Sequence, residues 1–114
     1  MSNKSLTYLR FLNTLDTLER VNPAAKLDFL EIQLLEHVLR TTSQDQTVLI
    51  GDLLKLDHLG SQATLHGRIK NLIANGYFKV TLDKQDARKK SVSPTKLAEK
   101  YLSFMSECVL KAAQ

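Results

Sequence analysis

The sequence predicts a mainly α-helical fold with one small β-hairpin, built as a single domain over residues 1–114. Most of the chain places apolar residues at the three- and four-residue spacings of an amphipathic helix. One charged, turn-rich segment late in the chain is flanked by short stretches that suit paired strands. A length of 114 residues and a hydrophobic content of 43% are enough for one modest core, and no repeat or long linker divides the chain.

Residues 4–20 form the first predicted helix. Leucine recurs at every third position along it, at Leu6, Leu9, Leu12, Leu15 and Leu18. This wide apolar face either covers the domain's own core or packs against a second chain. Asn22 and Pro23 end the helix, because the residue before a proline is pushed out of the helical region.

A second helix is predicted over residues 28–40. Asp28 and Glu31 have the three-residue spacing of a capping box, in which each side chain accepts a hydrogen bond from the other's backbone N–H. The apolar residues that follow, beginning with Phe29, indicate a mostly buried helix. Residues 41–46 (TTSQDQ) are polar and turn-forming, so they are expected to be a loop.

Two short elements and a third long helix come next. Residues 47–50 (TVLI) suit a short strand, and residues 52–56 (DLLKL) suit a brief helix. Ser61 suits the N-cap of a helix over residues 61–75, whose apolar positions fall on one face. The Asn-Gly dipeptide at its end fits a left-handed helix stop.

A β-hairpin is predicted after this helix. Residues 77–82 (YFKVTL) alternate well enough to be a strand, and residues 91–93 (SVS) can return as its partner. Residues 83–90 between them are charged and turn-rich, so they form a long hairpin tip.

The last helix is predicted over residues 95–114. Pro94 fits either the first turn of a helix capped by Ser93 or the place just before a helix capped by Thr95. Cys108 lies among apolar residues of this helix, which favours a buried cysteine over one that senses oxidants. A single cysteine excludes an internal disulfide and a cysteine-based zinc site within one chain.

Positive charge is concentrated in residues 61–90. This stretch has seven Lys or Arg residues against two Asp residues, a local balance of +5, while the whole chain carries +4. The rest of the chain is therefore slightly acidic. Concentrated positive charge on a helix and a hairpin indicates an anionic partner, with nucleic acid first among the candidates.

The predicted elements follow the order of a winged helix-turn-helix, a fold that places one helix in the major groove of DNA. Within it, the chain from Ile50 to Thr95 resembles the MarR-type (multiple antibiotic resistance regulator) family. The helical signs of that family are a leucine in the short helix, a Ser-x-x-Thr start and a Leu-x-x-x-Gly end, here Leu53, Ser61, Thr64, Leu72 and Gly76. The most specific sign is an Asp-x-x-Asp-x-Arg wing followed by a β-branched residue and a threonine, here Asp83, Asp86, Arg88, Val92 and Thr95.

Several features depart from the family pattern. The turn at residues 57–60 is about one residue longer, Pro94 replaces an apolar residue, and Ala98 stands where glycine is common. Gly67 lies inside the third long helix, where a glycine costs about 0.5–1 kcal/mol relative to alanine. We expect it to allow close approach of a backbone, either from DNA or from a packing neighbour. The chain also has a single C-terminal helix where typical members have two.

The resemblance implies that the helix at residues 61–75 enters the major groove of double-stranded DNA. The residues expected near base edges or phosphates at its start are Ser61, Gln62, Thr64, Leu65 and His66. Leu65 would contact a thymine methyl group if it is not part of the core, and Arg68 and Lys70 would grip phosphates. The alternative is a helix face that is only solvated.

The resemblance also implies that residues 83–90 are a wing that contacts the minor groove or the DNA backbone. The expected contact residues are Lys84, Arg88, Lys89 and Lys90. Arg88 is the preferred minor-groove residue, because narrow A·T-rich grooves attract an inserted arginine. Asp83 and Asp86 are expected to be structural, with Asp86 orienting a neighbouring arginine or bracing the hairpin. The alternative is a basic loop that only aids solubility.

No catalytic or metal-binding motif is visible in the sequence. The three histidines, His37, His58 and His66, lie on separate elements, and no phosphate-binding loop, nucleophile motif or paired-carboxylate motif is present. We therefore expect no enzyme, no metal and no cofactor. No apolar run approaches the ~20 residues that cross a bilayer, and no signal peptide is recognisable, so we expect a cytoplasmic protein.

The sequence therefore predicts a sequence-specific DNA-binding protein that acts as a homodimeric transcriptional regulator. The flanking helices in residues 1–22 and 95–114 are expected to form the dimer contact. Two alternatives remain open. One is a winged-helix protein of plasmid or phage replication or partition, and the other is a module that binds another protein through its apolar terminal helices.

Overall fold

The computed structural model describes residues 2–114, which fold into helices and a small antiparallel sheet. The helices are α1 (Asn3–Thr17), α2 (Phe29–Ser43), α3 (Ile50–Leu54), α4 (Gln62–Ala74) and α5 (Lys96–Ala113). The strands are β1 (Val48–Leu49), β2 (Phe78–Leu82) and β3 (Lys90–Pro94), and a 3-10 turn at Glu19–Val21 follows α1. This is the mainly α arrangement with a small sheet that the sequence predicts. No helix within residues 2–114 combines the length and the apolar composition that a membrane crossing requires.

The chain divides into two compact units. The first, called the terminal unit here, contains the chain up to Lys26 together with Glu99–Gln114, and so includes α1 and most of α5. The second, called the winged unit, is Leu27–Ala98 and contains the other helices and the whole sheet.

The start of α2 has the capping box that the sequence predicts. The backbone N–H of Glu31 donates to Oδ1 of Asp28 over 2.8 Å, and the backbone N–H of Asp28 donates to Oε1 of Glu31 over 2.9 Å. Two of the backbone N–H groups that a helix start leaves without partners are thereby satisfied. Burial raises the pKa of the Tyr77 phenol, and the negative charge of the buried Glu31 raises it further.

Two details of the predicted α2 are wrong. The helix continues to Ser43, through residues expected to be a loop, because the hydroxyls of Thr41 and Thr42 donate to the carbonyls of His37 and Val38 over 2.8 Å. These side chains bond within the helix instead of ending it. Phe29, expected to be buried, is 76% exposed, because the first helical residue lies outside the face that packs into the core.

The short helix α3 also begins earlier than expected. The carboxylate of Asp52 accepts the backbone N–H of Leu49 over 3.1 Å, so Asp52 lies within the first turn rather than at its start. The helix therefore covers Ile50–Leu54 in place of residues 52–56, and Leu53 is its buried residue.

The core of the winged unit comes from every one of its elements. α2 packs against α4 and β3, and α3 packs against α4. The fully or nearly fully buried side chains are Leu34, Leu35, Val38, Leu53, Leu65, Ile69, Leu72, Phe78 and Val92. Burial of each large apolar side chain contributes about 1.5–3 kcal/mol, which makes this cluster the main stabilising term of the unit.

The sheet has the strand order β1-β3-β2, with antiparallel pairs throughout. Val92 lies opposite Val48 on one side and Val80 on the other, so the predicted short strand joins the predicted hairpin. Pro94 is the last residue of β3, and the hydroxyl oxygen of Thr95 accepts the backbone N–H of Ala98 over 3.3 Å. Of the two starts considered for the last helix, the structure adopts the one capped by Thr95.

Gly76 ends α4 in the left-handed conformation, with a φ of 84°. Its N–H donates to the carbonyl of Ile73 over 3.1 Å, and the N–H of Tyr77 donates to the carbonyl of Leu72 over 2.9 Å. This pair of bonds is a Schellman motif, which provides hydrogen-bond donors for carbonyls at the helix end that would otherwise have none. The Asn-Gly stop predicted from the sequence is confirmed.

Candidate nucleic-acid interface

The candidate interface starts at the capped end of α4. Ser61 is the N-cap, and its side-chain oxygen accepts the backbone N–H of Thr64 over 3.2 Å. Its hydroxyl donates to the Thr64 oxygen over 3.0 Å. Both side chains are exposed, so they fix the start of the helix and leave the Thr64 hydroxyl proton free to donate outward.

The two faces of α4 differ sharply in polarity. Leu65, Ile69 and Leu72 are 0%, 2% and 0% exposed, whereas Gln62, His66 and Lys70 are exposed. The predicted contact between Leu65 and a thymine methyl group is therefore wrong, because this side chain belongs to the core. The outward face of the helix keeps an amide, an imidazole and an ammonium group.

Arg68 has a partner within the protein that the sequence does not indicate. Its Nε lies 2.7 Å from Oδ2 of Asp28, with both side chains about two-fifths exposed, in an ion pair without good hydrogen-bond alignment. The pair joins the middle of α4 to the N-cap of α2. Arg68 was expected to grip a phosphate; in the structure its charge also holds α4 on α2. No sequence signal could identify this pair, because no periodicity connects residues so far apart.

Two aspartates organise the tip between β2 and β3. Oδ1 of Asp83 accepts the backbone N–H of Gln85 over 2.8 Å and that of Asp86 over 3.1 Å. Oδ1 of Asp86 accepts both the backbone N–H and the Nε–H of Arg88 over 3.1 Å. The backbone donors hold the pKa of Asp83 below 3.8, and Arg88 does the same for the pKa of Asp86.

The basic side chains of residues 83–90 are all exposed: Lys84, Arg88 and Lys89 in the tip, and Lys90, which was expected in the loop but is the first residue of β3. The side chain of Arg88 is 92% exposed even though Asp86 holds it. The backbone of Lys89 donates to the carbonyl of Asp86 and accepts from the N–H of Asp83, each over 2.9 Å. Residues 83–90 therefore form a braced wing that carries four positive charges on its surface.

Thr95 fixes the junction between α4 and the wing. Its hydroxyl donates to the carbonyl of Gly76 over 2.5 Å, and its backbone N–H donates to the carbonyl of Tyr77 over 3.2 Å. The sequence marks Thr95 only as part of a motif. Its structural role is to hold the turn that leads from α4 into β2.

Three further exposed residues belong to the same surface and were not among the expected contacts. Ala63 and Asn71 lie on the outward face of α4, and Lys79 lies on β2. The helical period could have identified the first two, since they are spaced by four residues from Gly67 at the centre of that face. Strand alternation could have identified Lys79.

A polar pocket of about 190 Å³ lies beside the helix-turn-helix. Residues of α2 and of the turn before α4 line it: Gln33, Glu36, His37, Arg40, His58 and Leu59. Two histidines that the sequence places on separate elements thus meet at one pocket. Within residues 2–114, no group of three or more His, Cys, Asp or Glu side chains is arranged to hold a metal ion.

No protein-family model matches the sequence, and no curated protein is significantly similar to it. Solved structures do resemble it. MepR of S. aureus in complex with DNA is 15% identical, with 94% of this chain and 86% of that chain covered and a TM-score of 0.67. The transcriptional regulator Tm0710 of Thermotoga maritima is 19% identical, with coverages of 91% and 73% and a TM-score of 0.63.

A third similar structure is the adhesin competence repressor AdcR of Streptococcus pyogenes. It is 26% identical, with 88% of this chain and 69% of that chain covered and a TM-score of 0.54. All three are winged-helix regulators of the MarR type. The fold therefore agrees with the resemblance carried by the residues of α4 and the wing: this chain has the winged helix-turn-helix fold of the MarR-type regulators.

Proposed function

We propose that this protein binds double-stranded DNA sequence-specifically and acts as a homodimeric transcriptional regulator. The observation that carries the proposal is the combination, within the winged unit, of a capped helix with an exposed polar face and a braced wing with four exposed positive charges. MepR, which has the same fold, has been solved in complex with DNA.

In this proposal α4 enters the major groove with its N-terminal end towards the bases. Gln62 and His66 can exchange hydrogen bonds with base edges, while the Thr64 hydroxyl can reach a base or a phosphate. Lys70, further along the same face, is suited to a phosphate. Contacts with base edges read the sequence, and contacts with phosphates set the position of the helix.

The wing contacts the DNA beside that groove, in the minor groove or on the backbone. Asp86 holds the guanidinium of Arg88 by two atoms, Nε at 3.1 Å and a terminal nitrogen at 3.4 Å, so the side chain is ordered before binding. An ordered arginine loses less conformational entropy when it enters a groove. Lys84, Lys89 and Lys90 would then neutralise phosphates.

Homodimer formation rests on the terminal unit. No residue of α1 is buried, although the helix carries a continuous apolar stripe. Large apolar side chains of α1 and α5 are exposed: Tyr8, Leu9, Leu12, Leu102, Val109 and Leu110. An apolar depression of about 460 Å³ also lies between Lys4, Tyr8 and Phe11 of α1 and Val109 and Ala112 of α5. Apolar surface on this scale marks an association surface, and a second copy of the chain would cover it.

A binding titration tests the proposal. Fluorescence anisotropy with a random-sequence duplex at low salt should show binding. For each phosphate neutralised, the affinity should fall by roughly 0.9 logarithmic units for every tenfold rise in salt concentration. The double substitution Arg88→Ala with Lys89→Ala should lower the affinity and reduce the salt slope, since the groove or backbone contact of Arg88 and the phosphate contact of Lys89 are lost.

The matched control removes the same charge from the terminal unit, by Arg20→Ala with Lys26→Ala. Both residues are exposed, so this variant should retain its DNA affinity and its salt slope. Absence of binding by the unmodified protein, or an equal loss in the control variant, would contradict the proposed function.

A further inference from the structure

Gly67 occupies the middle of the outward face of α4. It is the sixth of the thirteen residues in Gln62–Ala74, on the side of the helix opposite the buried Leu65, Ile69 and Leu72. Its exposed neighbours on this face include Ala63, one turn earlier, and Lys70, about one turn later. Any molecule that contacts this face of the helix meets Gly67 near its centre.

Nothing inside the protein accounts for a glycine at this place. Apart from its two chain neighbours and the backbone of its own helix, a Cβ built at position 67 would have no heavy atom within 4 Å, so no packing neighbour needs the space. Gly67 also has no positive φ, unlike Gly76. An interior helical glycine destabilises a helix relative to alanine, and here no packing contact or special backbone conformation offsets that effect.

The other glycine in a helix has a simpler explanation. Gly51 is also exposed with open surroundings, but it lies in the first turn of the five-residue helix α3. Helix propensity has less effect in a first turn, because the backbone N–H groups there have no partner within the helix. Of these two helical glycines, it is therefore Gly67 that destabilises its helix without a packing or backbone reason inside the protein.

We infer that Gly67 is the point at which the recognition helix approaches the base edges of bound DNA most closely. This inference rests on the proposed DNA binding and adds a positioning residue to it. The major groove is about 12 Å wide, and a helix with its side chains is about 10–12 Å across, so the fit is tight. A position without a side chain lets the helix backbone lie deeper, which brings Thr64 and His66 within reach of the bases.

The inference predicts that a side chain at position 67 affects specific and non-specific DNA binding differently. Non-specific complexes depend on phosphate contacts, which Lys70 and the wing supply without a deeply seated helix. A methyl group at position 67 should therefore weaken binding to the preferred sequence and leave binding to other sequences unchanged. A purely structural glycine would not show this difference.

The test uses Gly67→Ala in the full chain, with two duplexes. One is the sequence that the unmodified protein enriches from a random pool, and the other is a scrambled duplex of the same composition. The variant should bind the enriched duplex about tenfold or more weakly, a loss comparable to that caused by one mismatched base pair. Its affinity for the scrambled duplex should stay within about twofold. Its melting temperature should rise by about 2–6 °C, since alanine favours the helix.

Gly51→Ala is the matched control, because it adds the same methyl group to the other exposed helical glycine. It should leave the affinity for both duplexes within about twofold. The inference is overturned if Gly67→Ala binds the enriched duplex like the unmodified protein, loses affinity for both duplexes equally, or melts at a lower temperature. An equal loss in Gly51→Ala would overturn it too. If the unmodified protein enriches no sequence, the proposed function itself fails, and this inference fails with it.

Discussion

At the scale of single residues, the wing depends on two carboxylates rather than on its basic side chains. Asp83 holds two backbone N–H groups of the tip, and Asp86 holds both the backbone and the guanidinium of Arg88. The bonds are made to ionised carboxylates, and charge-assisted bonds of this kind are stronger than neutral ones. The positive charge of the wing is therefore presented by a loop that negative charge holds in shape.

The first prediction concerns the pH at which the wing loses the hydrogen bonds of its two aspartates. The pKa values of Asp83 and Asp86 are lowered below 3.8, so the folded wing takes up protons less readily than the unfolded chain. The bracing should be present in full above about pH 3.8 and be lost only as the pH falls through the lower folded values. In an NMR titration, the change in the Arg88 backbone and Nε signals should therefore have its midpoint below pH 3.8.

Asp86→Asn provides the control for that titration. Removal of the Asp86 carboxyl should abolish the acid transition at the Arg88 Nε signal and retain the one sensed at Gln85, whose backbone N–H donates to Asp83. A loss of the contact between Arg88 and Asp86 well above pH 4 would contradict the lowered pKa values.

At the scale of elements, α2 and α4 are held together by a residue that has two roles. Asp28 is the N-cap of α2, and its second oxygen contacts Arg68 in the middle of α4. This ion pair fixes α4 to α2 in addition to their contact through the buried leucines. The orientation of α4 against α2 therefore depends on the ion pair as well as on the core.

The second prediction separates those two roles of Asp28. Asp28→Asn keeps an oxygen for the Glu31 N–H but removes the charge that faces Arg68, so the free energy of unfolding should fall by only about 0.2–1 kcal/mol, as for other exposed ion pairs. Asp28→Ala also removes the cap and should cost about 1 kcal/mol more. Urea denaturation of the full chain measures both. Equal losses in the two variants would show that the cap contributes nothing beyond the ion pair.

The elements also show what the sequence could and could not predict. Local signals located the caps at Asp28 and Ser61 and the stop at Gly76, because each depends on residues within one helical turn. The same local reasoning ended α2 too early, since threonine hydroxyls can bond either to a turn or back into the helix, and Thr41 and Thr42 do the latter. The sequence assigned Leu65 to DNA as well as to the core, and only its burial decides between them.

At the scale of the whole molecule, the two features on which the proposed function rests lie in different units. The winged unit carries the recognition helix, the wing and the ion pair between Arg68 and Asp28. The terminal unit carries the exposed apolar side chains of α1 and α5. In the proposed dimer, the terminal unit pairs two copies and the winged unit reads DNA. Long-range contacts such as Arg68 with Asp28 are set at this scale, which is why no local pattern indicated them.

The most direct measurement of this account is a selection of bound duplexes from a random-sequence pool by the unmodified protein. A sequence-specific homodimer should enrich a two-fold symmetric site whose half-site centres lie about one helical turn, or roughly 10 bp, apart. Enrichment of an asymmetric site without a second half would contradict the dimer. Failure to enrich any sequence would contradict sequence-specific DNA binding.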